Sequence, residues 1–477
     1  MSTAPCPLKE LHFGHLDAAQ EALEQPQLLL DGFYDYREAA YGIDGQTVWL
    51  LLGPKGSGKS AVIEHLRLRW DLRHDRFLTV WQLGGFPVND VTNIGTGQSA
   101  GGSRAQAAWE FLLLLRVVES LAQDQSLDAP PSFWRMVKGL RQGGLLVGDW
   151  LAKVSRWSSS TVKFDVKVIG AEGVVDHTTI TPLEVSAFLR QELRKCRTAH
   201  RHVVALDGLD TFFFEAEDEW TSLAGLMQAL QAVNREMVTY GTPVSVVAAV
   251  RSDIFDMLPG PEMNKLKPHA VHLDWHAYGI GGDNHLWKLL TKKAAVERPK
   301  VTNLVAQYLN TTVSIGPHRE LTTFLLDNTR LLPRDVVALM SYLQREYKGS
   351  RSVPEENARR AVQLYAEEYF IGEVFDNLAG VLPAGKARGL AAFKDALRTT
   401  PSRFFTFQFM CEELAGDLEP NEIKALLRQM FETGGIGVRN GQNTDFVYRK
   451  VSGAGFTVRY QFVLQDALTR AWNRPWY

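Results

Sequence analysis

The sequence predicts an α/β fold built around a parallel sheet, and three observations predict it. Residues 47–52, 203–206 and 244–250 are short, mainly apolar runs rich in β-formers, the pattern of strands buried on both faces. Helix-period segments at 61–72 and 223–236 alternate with them, as parallel connections require. A glycine-rich turn at 53–60 joins the first strand to the first of those helices.

Residues 1–45 form an N-terminal helical segment that leads into the aromatics Phe33, Tyr34 and Tyr36. Aromatic side chains mostly bury area, so packing is their expected role. Strand 47–52 and helix 61–72 follow, the helix with Val62, Ile63 and Leu66 on one face. A second strand is expected at 77–82 and a Gly/Ser/Thr-rich loop at 93–103. Helices at 105–121 and 133–140 come next, then a hairpin within 158–175 and a helix at 182–196. Beyond about 275 the strands stop, and 284–297, 317–328, 333–347 and 354–380 read as successive helices. The tail changes again: helices at 404–415 and 421–431, strands at 436–439, 445–450 and 457–464, and a last helix from 465. The expected domains are therefore 1–45, a core at 46–275 with 93–175 as an insertion, a helical lid at 276–400 and a winged helix at 401–477.

Composition bounds the function. The 477 residues, 45% apolar and 22% charged, suit about three globular domains. The charge, 52 basic against 54 acidic residues, gives no global sign of a nucleic-acid binder. No run approaches the roughly 20 apolar residues of a membrane span, and no secretory signal is visible at the start. The three cysteines, Cys6, Cys196 and Cys411, lie too far apart for a disulfide framework or a zinc pattern. A reduced, cytoplasmic protein is expected. The histidines show no metal spacing, no Ser/His/Asp set can be argued, and no internal repeat is visible.

The turn carries the chemistry. Gly53, Pro54, Lys55, Gly56, Ser57, Gly58, Lys59 and Ser60, followed by Ala61, fit G-x-x-x-x-G-K-[ST]. Glycines let the backbone wrap phosphates with its N–H groups inward, and the helix that starts there adds its positive end. Lys59 would reach the β- and γ-phosphates of ATP, and the Ser60 hydroxyl would hold Mg²⁺. The flanking strand and helix argue against a bare glycine turn.

Asp207 ends the apolar run 203–206, and α/β sheets bind ligands beyond the carboxyl ends of their strands. It suits Mg²⁺, directly or through water. Gly208 follows instead of an acid, so the group that orients the attacking water comes from elsewhere. Asp210 is the nearest carboxylate; it either polarises that water or caps the next helix. Arg251, after the run 244–250, either faces the γ-phosphate of its own or a neighbouring copy's site or pairs with Asp253. Arg334 follows Pro333 at a helix start; it either reaches the nucleotide or sits in a charge pair beside Asp335.

Together these residues resemble the bacterial P-loop ATPases of the STAND and AAA+-like branch, in the form whose acidic strand end reads Asp207, Gly208, Leu209, Asp210. Phe13 and Gly14 match as well, as do residues 250–255, 264–266, 273–275, 333–335 and 431–437. The likeness spans most of the chain; its specific parts are the motifs around Lys59 and Asp207. It implies an ATP- and Mg²⁺-dependent hydrolase with a helical lid carrying a sensor-like Arg334, and a C-terminal winged helix. It also implies assembly into a homo-oligomer, often in bacterial antiphage or conflict systems. No nuclease, protease or TIR-like motif is present, so an effector would be a separate protein.

A winged helix raises the question of DNA. From 401 to 477 nine Lys and Arg face eight Asp and Glu, a net of +1, whereas a dedicated DNA reader is usually visibly basic. The balance favours a protein or intramolecular role. Three rivals to an assembly switch remain open: an initiator/loader-like or transposition-helper ATPase on DNA, a P-loop kinase, and a scaffold that holds nucleotide permanently.

Overall fold

In the computed structural model the apolar runs become the inner strands of one parallel sheet. The structure describes residues 6–94, 102–146, 154, 164–165, 179–209, 217–258, 261–275, 284–383, 385–449 and 454–476. Two compact units divide the chain. One comprises Arg37–Lys55 and Lys59–Leu273; the other comprises Met1–Tyr36, Gly56–Gly58 and Asp274–Tyr477.

The sheet belongs to the first of these. Its strands are β1 (Leu50–Leu52), β2 (Arg76–Gln82), β3 (Arg201–Asp207), β4 (Val244–Val250) and β5 (Ala270–His272). They lie in the order β2-β3-β4-β1-β5, every pair parallel. Parallel strands need long crossovers, usually helical, and the chain supplies Lys59–Asp71 after β1 and Glu217–Tyr240 after β3. The register sets Leu52 beside Val250 and Gln82 beside Asp207. The carboxyl ends of β1, β3 and β4 therefore share one edge. Strand β4 is buried along its whole length and β3 along all but its first residue, in keeping with their mainly apolar runs. Sequence patterning missed β5, a three-residue edge strand.

The long helix Gly102–Leu121, inside the stretch read as an insertion, contributes Trp109 and residues 111–115 to the core of this unit. It approaches Glu217–Tyr240 closely at Gly225, where an added Cβ would stand 2.6 Å from the Ala105 Cβ. Of the hairpin expected within 158–175, only Phe164–Asp165 lies among the described residues, paired with Thr179–Ile180.

Near the amino end of β3 a buried polar network gathers around Asp124. Thr198 Oγ1 (2.7 Å) and the Ser126 amide (2.9 Å) donate to its carboxylate. His200 Nδ1 lies 3.0 Å and His202 Nε2 3.4 Å away, and Ser120 Oγ is 3.0 Å from His202 Nδ1. The series Ser120, His202, Asp124 looks like a hydrolase triad, but all three are buried from any substrate. Burial alone would raise the Asp124 pKa; the hydrogen bonds from Thr198, Ser126 and His200 outweigh it and hold the pKa at about 2. Burial lowers His202 from 6.5 to about 4, against the attraction of Asp124.

The pH dependence follows. Between pH 6.5 and about 4 the unfolded chain binds a proton at His202 that the native state refuses, so stability falls as pH drops through that window. At about 1.4 kcal/mol per pH unit the loss is about 3 kcal/mol. Asp124 adds a further loss from pH 3.8 down to about 2. Thermal melts of His202→Gln are expected to be flatter with pH than wild type between 6.5 and 4; an unchanged slope would refute this account.

The second unit is mainly helical: His285–Glu297, Leu321–Asp327, Pro333–Glu346, Glu355–Tyr365 and Ala387–Arg398. The strands do not stop at 275, however. Thr312–Ile315 and His318–Glu320 pair as a small hairpin, turning at Gly316 with φ +59°. Val313 and Ile315 face inward while Thr312 and Ser314 face solvent, a period of two hidden by the brevity of the segment. In the tail, helices Phe407–Glu413 and Pro420–Glu432 precede strands Ile436–Asn440, Asn443–Asp445 and Gln461–Leu464. These strands and Phe404–Phe405 make an antiparallel four-stranded sheet, the helix, helix, hairpin order of a winged helix. Among the described residues no helix is long and apolar enough to cross a membrane.

Candidate nucleotide site

The chain leaves β1 through Gly53, whose amide still donates to the Val250 carbonyl of β4 at 3.4 Å. Pro54 and Lys55 lie half-buried beyond it. Lys59 opens the helix Lys59–Asp71 and is 4% exposed. Its ammonium donates to the carbonyls of Gly53 and Pro54, both at 3.1 Å. Ser60 follows, and its hydroxyl donates to Asp207 Oδ1 at 3.2 Å. This bond joins two motifs 147 residues apart. Ala61 continues the helix.

Asp207 is the last residue of β3 and is 6% exposed. Its carbonyl accepts from Leu83 at 2.8 Å, and its Oδ1 also accepts from the Gly208 amide at 2.9 Å. Gly208 has φ +84°, and a Cβ there would stand 2.7 Å from the Gly84 amide nitrogen. Both facts exclude a side chain, which explains why glycine rather than an acid follows Asp207. Gln82, beside Asp207 in the sheet, has its Oε1 3.4 Å from that absent Cβ. Sequence reading missed Gln82, which only the strand register could have revealed. Asp210 lies outside the described residues.

Arg251 follows β4 and forms a two-pronged pair with Asp253, Nε to Oδ1 at 3.0 Å and Nη2 to Oδ2 at 2.6 Å.

In the other unit, Gly56 and Gly58 take φ values of +85° and +95°, which favour glycine. The Ser57 carbonyl accepts from the indole N–H of Trp275 at 2.8 Å, and Ser57 Oγ is buried without a hydrogen-bond partner among the described residues. Nothing described lies within 4 Å of a Cβ built on Gly58. Arg334 packs on Gly56: its amide donates to the Gly56 carbonyl at 3.3 Å. Its guanidinium donates to the Leu16 carbonyl at 3.1 Å and lies 3.9 Å from Glu373. Asp335 takes a different partner, the buried Arg330, five residues upstream. The aromatics of the N-terminal segment pack as expected, with Tyr36 stacked on Trp275 at 4.2 Å.

One His/Asp cluster escapes sequence spacing. His318, Asp327 and Asp466 converge, yet Arg449 pairs with Asp327 and Arg403 with Asp466. The cluster is an ion-pair network rather than an open ligand shell.

No family model matches the chain, and no curated protein matches it in sequence. Among solved structures it is similar to the crystal structure of Cdc6p from Pyrobaculum aerophilum, with 12% identity and a TM-score of 0.30, over 96% of this chain and 95% of that one. The chain's own strand order and motif make the fold an α/β P-loop NTPase core with a parallel sheet, followed by a helical region and a C-terminal winged helix.

Proposed function

We propose that the chain is a Mg²⁺-dependent ATPase that uses bound ATP to control its own assembly. The observation that carries this reading is the hydrogen bond from Ser60 to Asp207, which brings the hydroxyl of the phosphate loop onto the acidic strand end. The residues fit the ligand. Gly56 and Gly58 hold the left-handed backbone that turns amides inward, and among the described residues nothing lies within 4 Å of a Cβ built on Gly58 and Ser57 Oγ lacks a partner. Lys59, resting on two carbonyls, would give them up for the phosphates. Ser60 and Asp207 would hold Mg²⁺, which when bound neutralises developing charge on the phosphate oxygens. Gly208 has no side chain, so orienting the attacking water falls to Asp210 or Gln82. Arg251 and Arg334 are proposed as arginines that read the nucleotide, Arg251 after leaving Asp253.

The partners follow from the resemblance: a homo-oligomer whose output passes to a separate effector protein, in a cytoplasmic antiphage or conflict system. DNA is the less favoured partner because basic residues of the winged helix are already engaged. Arg428 lies over Phe456 (5.1 Å), Arg439 over Phe404 (4.5 Å), and Arg449 pairs with Asp327. The test is titration of the purified full chain with Mg²⁺ and ATP, scoring nucleotide binding and phosphate release without an added acceptor. Release supports an ATPase; turnover that needs a second substrate would make the chain a kinase.

A further inference from the structure

The end of the chain builds a second, cationic pocket. Thr469, Arg470, Asn473, Arg474 and Trp476 line it, together with Gln363 of the helix Glu355–Tyr365. Its volume is about 380 Å³, enough for a small ligand. The guanidiniums of Arg403 and Arg470 both lie over the Trp476 ring, at 4.4 and 4.9 Å from its centre, so like charges are gathered around one indole.

Among the described residues their counter-charges do not balance. Arg403 pairs with Asp466 at 2.6 Å, and neighbouring Arg359 pairs with Glu355 at 2.6 Å. Arg470 donates through Nε to the neutral amide oxygen of Asn328 at 3.1 Å. Arg474 donates to the backbone carbonyls of Trp472 (2.8 Å) and Thr400 (3.2 Å). Neither has a carboxylate partner among the described residues. Burial, with repulsion from Arg359 and Arg403, pushes Arg470 down to about 10 against the pull of Asp466, so it stays charged near neutrality. Arg470 and Arg474 are both half-buried, a partly desolvated charge favours a compensating anion, and two guanidiniums present forked donors that suit phosphate oxygens.

We propose that this pocket binds a small phosphate-bearing anion, held by Arg470 and Arg474. The walls come from Glu355–Tyr365 and from the last residues of the chain, so the volume suits a small molecule rather than a polymer. The proposal does not depend on how the phosphate loop at Lys59 is used.

Calorimetric titration of the full chain with inorganic pyrophosphate tests it, in wild type, Lys59→Ala, Arg470→Gln and Arg474→Gln. One saturable site is expected to survive Lys59→Ala and to weaken about tenfold or more in each arginine variant, the loss expected for a charged hydrogen bond. Arg470 also bonds Asn328, so thermal melts accompany both variants; if Arg470→Gln fails to fold, Arg474→Gln decides. Absence of a site in Lys59→Ala, or affinity unchanged by Arg474→Gln, overturns the proposal. So does a short single-stranded oligonucleotide that binds through Arg474 when pyrophosphate does not, since that assigns the arginines to nucleic acid.

Discussion

Asp207→Asn is expected to lower ATP hydrolysis by about 10²–10³-fold while leaving ATP affinity within a few-fold of wild type. Asparagine keeps the shape and an acceptor oxygen, so the bonds now made by Ser60 Oγ and the Gly208 amide at 3.2 and 2.9 Å persist. Only the charge is removed, and with it the attraction that would hold Mg²⁺. Most of the affinity would come from the loop amides and Lys59, which the substitution leaves in place. Steady-state phosphate release paired with calorimetric binding reads the split. Hydrolysis at the wild-type rate would remove Asp207 from the proposed site; loss of binding equal to the loss of rate would mean that its role is not specific to the reaction.

Asp335→Ala is expected to destabilise the protein by about 3–5 kcal/mol, the range for removing one partner of a buried ion pair. Arg330 and Asp335 are 3% and 0% exposed. The carboxylate accepts the Arg330 amide at 2.9 Å, Nε at 2.8 Å and Nη2 at 2.6 Å. Burial alone would lower the Arg330 pKa; the charge and hydrogen bonds of Asp335 outweigh it and push it up. Truncation leaves that guanidinium with only the longer contact to Glu373, at 3.4 Å. Removing both charges in Arg330→Met/Asp335→Ala is expected to recover most of the loss, because the cost lies in the unpaired charge rather than in the missing bond. Denaturant melts of the two single variants and the double variant measure it. A single variant within about 1 kcal/mol of wild type would contradict a buried, essential pair. Arg334 lies between Pro333 and Asp335 in sequence, so the same pair fixes where the helix Pro333–Glu346 begins and where Arg334 meets Gly56.

The parts of the fold that one local pattern determines were legible in the sequence. The run 244–250 is apolar but for Ser245 because β4 is covered on both faces, and that pattern placed the strand with its observed bounds. The glycine-rich turn was legible because its backbone needs glycine at 56 and 58. What remained hidden depends on residues distant in sequence. Asp335 was read beside Arg334 as a neighbouring charge; the fold gives it to Arg330, which turns back through Leu331 at φ +54°. Nothing local marks Trp275 as the donor to Ser57, since the bond spans 218 residues. No local pattern marks Arg470, which the fold sets with Arg403 over the Trp476 ring.

The central claim is that residues 53–60 hold ATP. It is tested most directly by calorimetric titration of a non-hydrolysable ATP analogue, with Mg²⁺, into wild type and Lys59→Ala. Wild type is expected to bind one analogue per chain, and Lys59→Ala, with its melting behaviour intact, to bind at least about tenfold more weakly. Equal affinity in the two proteins, or no binding by either, would contradict it.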